Sequence, residues 1–76
     1  MPQMINRGKE IIRICPTNPS KLEYSTNGGR IWNTRYAGSA GKFIDLMDNG
    51  KEILGTTDKG LYYSTNDGRI WNLRHR

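Results

Sequence analysis

Short alternations of apolar and polar residues, each closed by a turn signal, run the length of the chain. In the second half, Lys42–Met47 reads KFIDLM, Lys51–Thr57 reads KEILGTT, Leu61–Thr65 reads LYYST and Arg69–Arg74 reads RIWNLR. Such runs, rich in β-branched and aromatic residues, mark strands. The breaks between them are Asp48-Asn49-Gly50, Asp58-Lys59-Gly60 and Asn66-Asp67-Gly68. Asn, Asp and Gly tolerate positive φ, and Asp-Gly favours a tight hairpin. The first half repeats the pattern over Gln3–Asn6, Lys9–Cys15, Lys21–Ser25 and Arg30–Tyr36. The first of these runs is weakened by Pro2 and by its place at the chain end. No segment keeps a helical period. The pattern predicts an all-β chain of about eight strands, arranged as two four-stranded antiparallel meanders.

The two halves are copies. Leu22–Tyr36 reads LEYSTNGGRIWNTRY and Leu61–His75 reads LYYSTNDGRIWNLRH, with 11 of 15 positions identical at an offset of 39. Upstream, GKEII from Gly8 matches GKEIL from Gly50 at an offset of 42, so the first copy holds three extra residues around Cys15–Pro19. A single domain, 1–76, thus divides into repeats of about 1–37 and 38–76 with no linker between them.

Each repeat contains one conspicuous motif: Ser25-x-Asn27-x-Gly29-x-x-Trp32 and Ser64-x-Asn66-x-Gly68-x-x-Trp71. Both resemble the Asp-box, or BNR repeat, of sialidases and other β-propellers, usually Ser/Thr-x-Asp-x-Gly-x-x-Trp. Phe43–Asn72 is similar to a complete four-stranded blade and Gly8–Asn33 to most of another. The resemblance implies one blade per repeat, with the box as a staple on an outer turn, remote from any active site. The departure is Asn27 and Asn66 in place of Asp. The residues point to the same structural role without the family. An Asn side chain accepts hydrogen bonds from nearby main-chain N–H groups and closes a turn, and a Ser hydroxyl does so more weakly. Gly29 and Gly68 can take the left-handed conformation. Trp32 and Trp71 are expected to seal the two hairpins equally.

Composition turns this into a question about assembly. At 34% hydrophobic residues, a 76-residue chain has a small core, and chains of this size bury only about 60–65% of their unfolded surface. One Cys excludes an internal disulfide, and one Cys with one His is too few for an ordinary zinc site. A propeller needs about four to eight blades. Two blades leave two open flanks, expected to carry Ile11, Ile14, Ile44, Leu46, Ile53, Leu61 and Tyr63. Either the sheets pack as a small two-sheet β-sandwich, or copies of the chain close a ring. A homotrimer, giving six blades, is the favoured expectation. It resembles the plan of small lectins that build a ring from two-bladed chains. No apolar run is long enough for a membrane span. The start, MPQMINRGKE, lacks a hydrophobic signal region, so a cytoplasmic location is expected.

Candidate chemistry is sparse. Sialidase catalysis requires an arginine cluster, a Tyr–Glu pair and an acid/base Asp, and none maps onto this chain. Asp48, Asp58 and Asp67 fall in turns, where capping explains them. Glu10 and Glu52 repeat within Lys-Glu, as on a solvated strand face. Cys15, between Ile14 and Pro16, reads as a structural thiol. Calcium takes about six to eight oxygen ligands, yet Asp67 is the only carboxylate in either box and its copy is Gly28. No enzyme activity, cofactor or metal is expected. Two binding surfaces are candidates. Arg35 and Arg74 share one repeat position, as do Arg30 and Arg69, and with a net charge of +5 they could meet a nucleic acid or another acidic partner. The loops Cys15–Ser20, Ala37–Gly41 and Thr57–Gly60 offer Asn18, Ser39, Asp58 and Lys59 to a glycan, with Tyr36 as the nearest aromatic. The expectation is a non-enzymatic structural or protein-interaction module. The alternatives are a carbohydrate-binding ring and an acidic-partner binder.

Overall fold

The structure, a computed structural model, describes residues 4–75. Strands β1 (Met4–Arg7), β2 (Glu10–Ile14), β3 (Lys21–Ser25) and β4 (Asn33–Ala37) form one antiparallel sheet in chain order. Strands β5 (Phe43–Asp48), β6 (Ile53–Thr57), β7 (Gly60–Ser64) and β8 (Asn72–His75) form a second. No helix among the described residues is long and apolar enough to cross a membrane.

The sheets share one register. Ile12 faces Tyr24 as Leu54 faces Tyr63, and Ile14 faces Leu22 as Thr56 faces Leu61. Both carry a bulge at the same place, between Leu22 and Glu23 and between Leu61 and Tyr62. A bulge inserts a residue and re-aims its side chain. Arg35 thereby joins Tyr36 on one face of the first sheet.

Alternation divides each sheet into a front and a back. The front of the first sheet carries Ile5, Ile12, Ile14, Leu22 and Tyr24, and its back carries Arg13, Ser25 and Trp32. The second sheet has Met47, Leu54, Thr56, Leu61 and Tyr63 on the matching front, and Leu46, Ile53, Gly55, Ser64 and Trp71 on the matching back. The core joins the front of the first sheet to the back of the second. Ile5, Ile12, Ile14 and Leu22 bury against Phe43, Leu46, Ile53 and Trp71, with Ala40 of the connection beside them. The repeats therefore stack head to tail.

Two expectations need correction. Of the residues expected on open flanks, Ile14, Leu46 and Ile53 are instead buried in the core between the two sheets, while Ile44 is exposed and Ile11, Leu61 and Tyr63 are half-buried. Leu61 and Tyr63 lie, as expected, on an open face: the front of the second sheet, which no other part of the described residues covers. The fourth strands begin at Asn33 and Asn72, three residues later than the alternation suggests, because the preceding turns run on through Ile31 and Ile70. The expected first strand began at Gln3, which lies outside the described residues.

Candidate functional site

The two Ser-x-Asn-x-Gly-x-x-Trp turns are built alike. The Ser25 hydroxyl donates to Asn27 Oδ1 (2.8 Å) and accepts from the Gly29 N–H (2.9 Å). Asn27 Oδ1 also accepts from the Ile31 N–H (3.1 Å). In the second repeat, Ser64 Oγ donates to Asn66 Oδ1 (2.9 Å), while the Gly68 N–H donates to Ser64 Oγ and the Ile70 N–H to Asn66 Oδ1, each at 2.9 Å. Ser25 and Ser64 are both fully buried. Buried hydroxyls and turn N–H groups need such partners, and the amide oxygen supplies them without a charge. Gly29 and Gly68 sit at φ +96° and +88°, and each lies beneath the ring of its own Trp.

The two Trp residues then diverge. Trp71 is buried at 8% exposure, donates from Nε1 to Gly68 O (2.8 Å) and meets Phe43 and Tyr36 edge-on. Trp32 is half-buried, and the Arg13 guanidinium covers its ring at 4.0 Å while pairing with Glu23. The divergence follows from the stacking: the back of the second sheet is covered by the first, and among the described residues no sheet covers the back of the first.

Arginines bind the sheets together where they meet. Arg7 donates to Asp48 Oδ1 (2.6 Å), Gly50 O (2.8 Å) and Asp67 Oδ1 (3.0 Å). The two carboxylates hold the Arg7 guanidinium above its ordinary value. The Gly50 N–H first, and then Arg7, hold the Asp48 carboxyl below its own. Arg35 lies over the Tyr24 ring at 4.1 Å, forks onto both oxygens of Glu10 and donates to the main-chain carbonyl of Asp67 at 2.7 Å. Its side chain is 3% exposed.

Arg74, at the matching position of the second repeat, makes the same local arrangement. It lies over Tyr63 at 4.2 Å and forks onto both oxygens of Glu52, at 2.9 and 2.8 Å. It has no carbonyl from a neighbouring sheet, and its side chain is 43% exposed. The sequence offered Arg35 and Arg74 to an acidic partner as equivalent positions of the two repeats. The structure separates them: Arg35 is occupied inside the molecule and Arg74 is presented on the open front of the second sheet. Tyr36 is likewise enclosed by Phe43 and Trp71 and offers no aromatic platform.

The three expected loops meet at one end, where their polar groups bond to the protein itself. Asn18 Oδ1 accepts from Ser20 Oγ (2.7 Å), and Pro19 O accepts from the Phe43 N–H (2.9 Å). Asp58 Oδ1 accepts from the Lys42 N–H (2.8 Å), and Lys59 Nζ reaches Ser39 O (3.5 Å). Cys15 is buried, and its hydrogen bond to the Thr17 hydroxyl draws the thiol below its ordinary value. Among the described residues, no group of three or more His, Cys, Asp or Glu side chains is placed to hold a metal ion.

The sequence reading placed Leu61 and Tyr63 on open flanks and offered Arg74 to a partner, but it did not join them with Met47 and Leu54 on the open front of the second sheet. The signal was the repeat itself: Met47 and Leu54 match the buried Ile5 and Ile12, Tyr63 matches the half-buried Tyr24, and Arg74 matches Arg35, whose side chain is enclosed. Comparison of the chain with protein-family models, curated proteins and solved structures finds no match.

Proposed function

We propose that this chain is a non-enzymatic Asp-box-type repeat module that assembles with copies of itself, three chains closing a six-bladed propeller. The head-to-tail stacking of the two sheets carries this reading. The front of one repeat already fits the back of the next within the chain, which leaves a back free on the first sheet and a front free on the second. A contact between unlike faces repeats by a constant rotation and closes a ring where the rotation fits. Exposed apolar side chains support it. Met4 on the free back is 52% exposed, and Met47 on the free front is 56% exposed. Their counterparts at the internal junction, Leu46 and Ile5, are buried.

Light scattering over a range of concentrations tests the proposal. The expected particle has three times the 8.7 kDa mass of the chain. A stably folded monomer at every concentration overturns it.

A further inference from the structure

Resting on that assembly reading, we infer that the open front of the second sheet takes the back of the first sheet of a second copy of this chain, with Arg74 donating to the main-chain carbonyl of Gly28 in that copy. The internal junction is the template. There Arg35, held by Glu10 and Tyr24, donates to the Asp67 carbonyl. Arg74 is held in the same way by Glu52 and Tyr63 and has N–H groups to spare. The repeat counterpart of Asp67 is Gly28, and the two share a left-handed backbone, at φ +64° and +77°. The carbonyl that Arg74 lacks is therefore displayed on the free back of every chain.

A second, independent feature fits the same seating. The internal junction carries the charged cluster Arg7, Asp48 and Asp67. By register, the counterparts of these three residues are Asn49, Asn6 and Gly28. All three charges are absent together, although Arg7 belongs to one face of the junction and Asp48 and Asp67 to the other. If a second copy seats as inferred, Asn49 meets Asn6 and Gly28, and no charge is buried without a partner. The free back makes one further adjustment: Arg13 and Glu23, in place of Gly55 and Tyr62, neutralise each other at 2.9 Å. The two junctions thus share the clamp and differ in the cluster, which keeps the neighbour within the chain distinct from the neighbour in another chain.

Transplanting the cluster tests the inference. One variant carries Asn49→Arg and the other carries Asn6→Asp with Gly28→Asp. All three positions are exposed, and Asp67 already takes the left-handed conformation that Gly28→Asp needs, so each variant is expected to fold. Alone, each variant is expected to self-associate more weakly than the parent chain. An equimolar mixture is expected to associate at least about tenfold more tightly than either alone, and to lose that gain at high salt. Arg74→Ala is expected to weaken self-association of the parent chain about tenfold at unchanged circular dichroism, and Arg74→Lys to rescue little, because an ammonium cannot fork onto Glu52 and still reach the carbonyl. A parent chain that assembles normally, with variants and mixture all behaving like it, overturns this seating and leaves assembly standing. A parent chain that is monomeric throughout overturns both.

Discussion

Trp32 and Trp71 occupy the same position of two nearly identical turns, and only one of them lies in the core. Deleting a large buried aromatic costs about 3–5 kcal/mol. Trp71→Ala should show a loss of that size in urea unfolding of dilute protein. Trp32→Ala should lose clearly less, since its ring has only Arg13 over its outer face. Equal losses would show that the free back is already covered. The sequence alone predicts equal burial, because the motif around each Trp is the same and the difference lies in what stands opposite. The same holds for Ile5 and Met47, or Ile12 and Leu54: alternation tells which residues share a face, and only the neighbouring sheet decides whether that face is inside. Arg7 leads to an acid prediction. The Gly50 N–H and Arg7 hold the Asp48 carboxyl below its ordinary value, so its stabilising contribution is complete above about pH 4. It is lost as the pH falls through the lower folded-state value. Asp48→Asn should be less stable than the parent near neutrality, and the gap in melting temperature should close as the pH falls below about 4. A gap that persists at the acid end would remove the ionised Asp48 from the junction.

Strand count, order and hairpin pairing were legible element by element, because alternating runs and Asx-Gly turns act locally. The starts of β4 and β8 were not. Arg30–Trp32 and Arg69–Trp71 have strand-like composition, yet Asn27 Oδ1 takes the N–H groups of Arg30 and Ile31. A side chain thus captures donors that a strand would have placed in its ladder. Strand β6 holds a second hidden constraint. Gly55 reads as a weak spot in a β-run, but an added Cβ there would come within 2.7 Å of Phe43 and 3.0 Å of Trp71. Only a bare backbone lets the two rings meet, at 5.1 Å. Its counterpart on β2 is Arg13, on a back that holds no such ring pair. Gly55→Ala should therefore destabilise by about 1–3 kcal/mol through overpacking, although alanine is no worse a strand former than glycine. An unchanged denaturation midpoint would mean that the rings can move apart at no cost.

At the scale of the whole molecule, the repeat made two similar sheets legible and left their arrangement open. Head-to-tail stacking brings together Arg7, Asp48 and Asp67, whose places lie far apart in sequence, beside the apolar core of the junction. A chain of 76 residues with two sheets and one shared core has little stability to spare. If its outer faces are covered by further copies, binding adds to folding by mass action, and for three chains that unfold together each tenfold rise in concentration contributes about 0.9 kcal/mol per chain, two-thirds of the value for a ligand in excess. For a domain of this size, each such kcal/mol moves the melting temperature by roughly 4–8 °C. The melting temperature of the parent chain should therefore climb by several degrees for each tenfold rise in protein concentration. Met4→Asp and Met47→Asp place a charge on the free back or the free front, at side chains already exposed in the single chain. Either should flatten that slope while leaving the melting temperature of the most dilute sample unchanged. A parent melting temperature independent of concentration would show that the two sheets are stable on their own and that their open faces contribute nothing to holding the fold together.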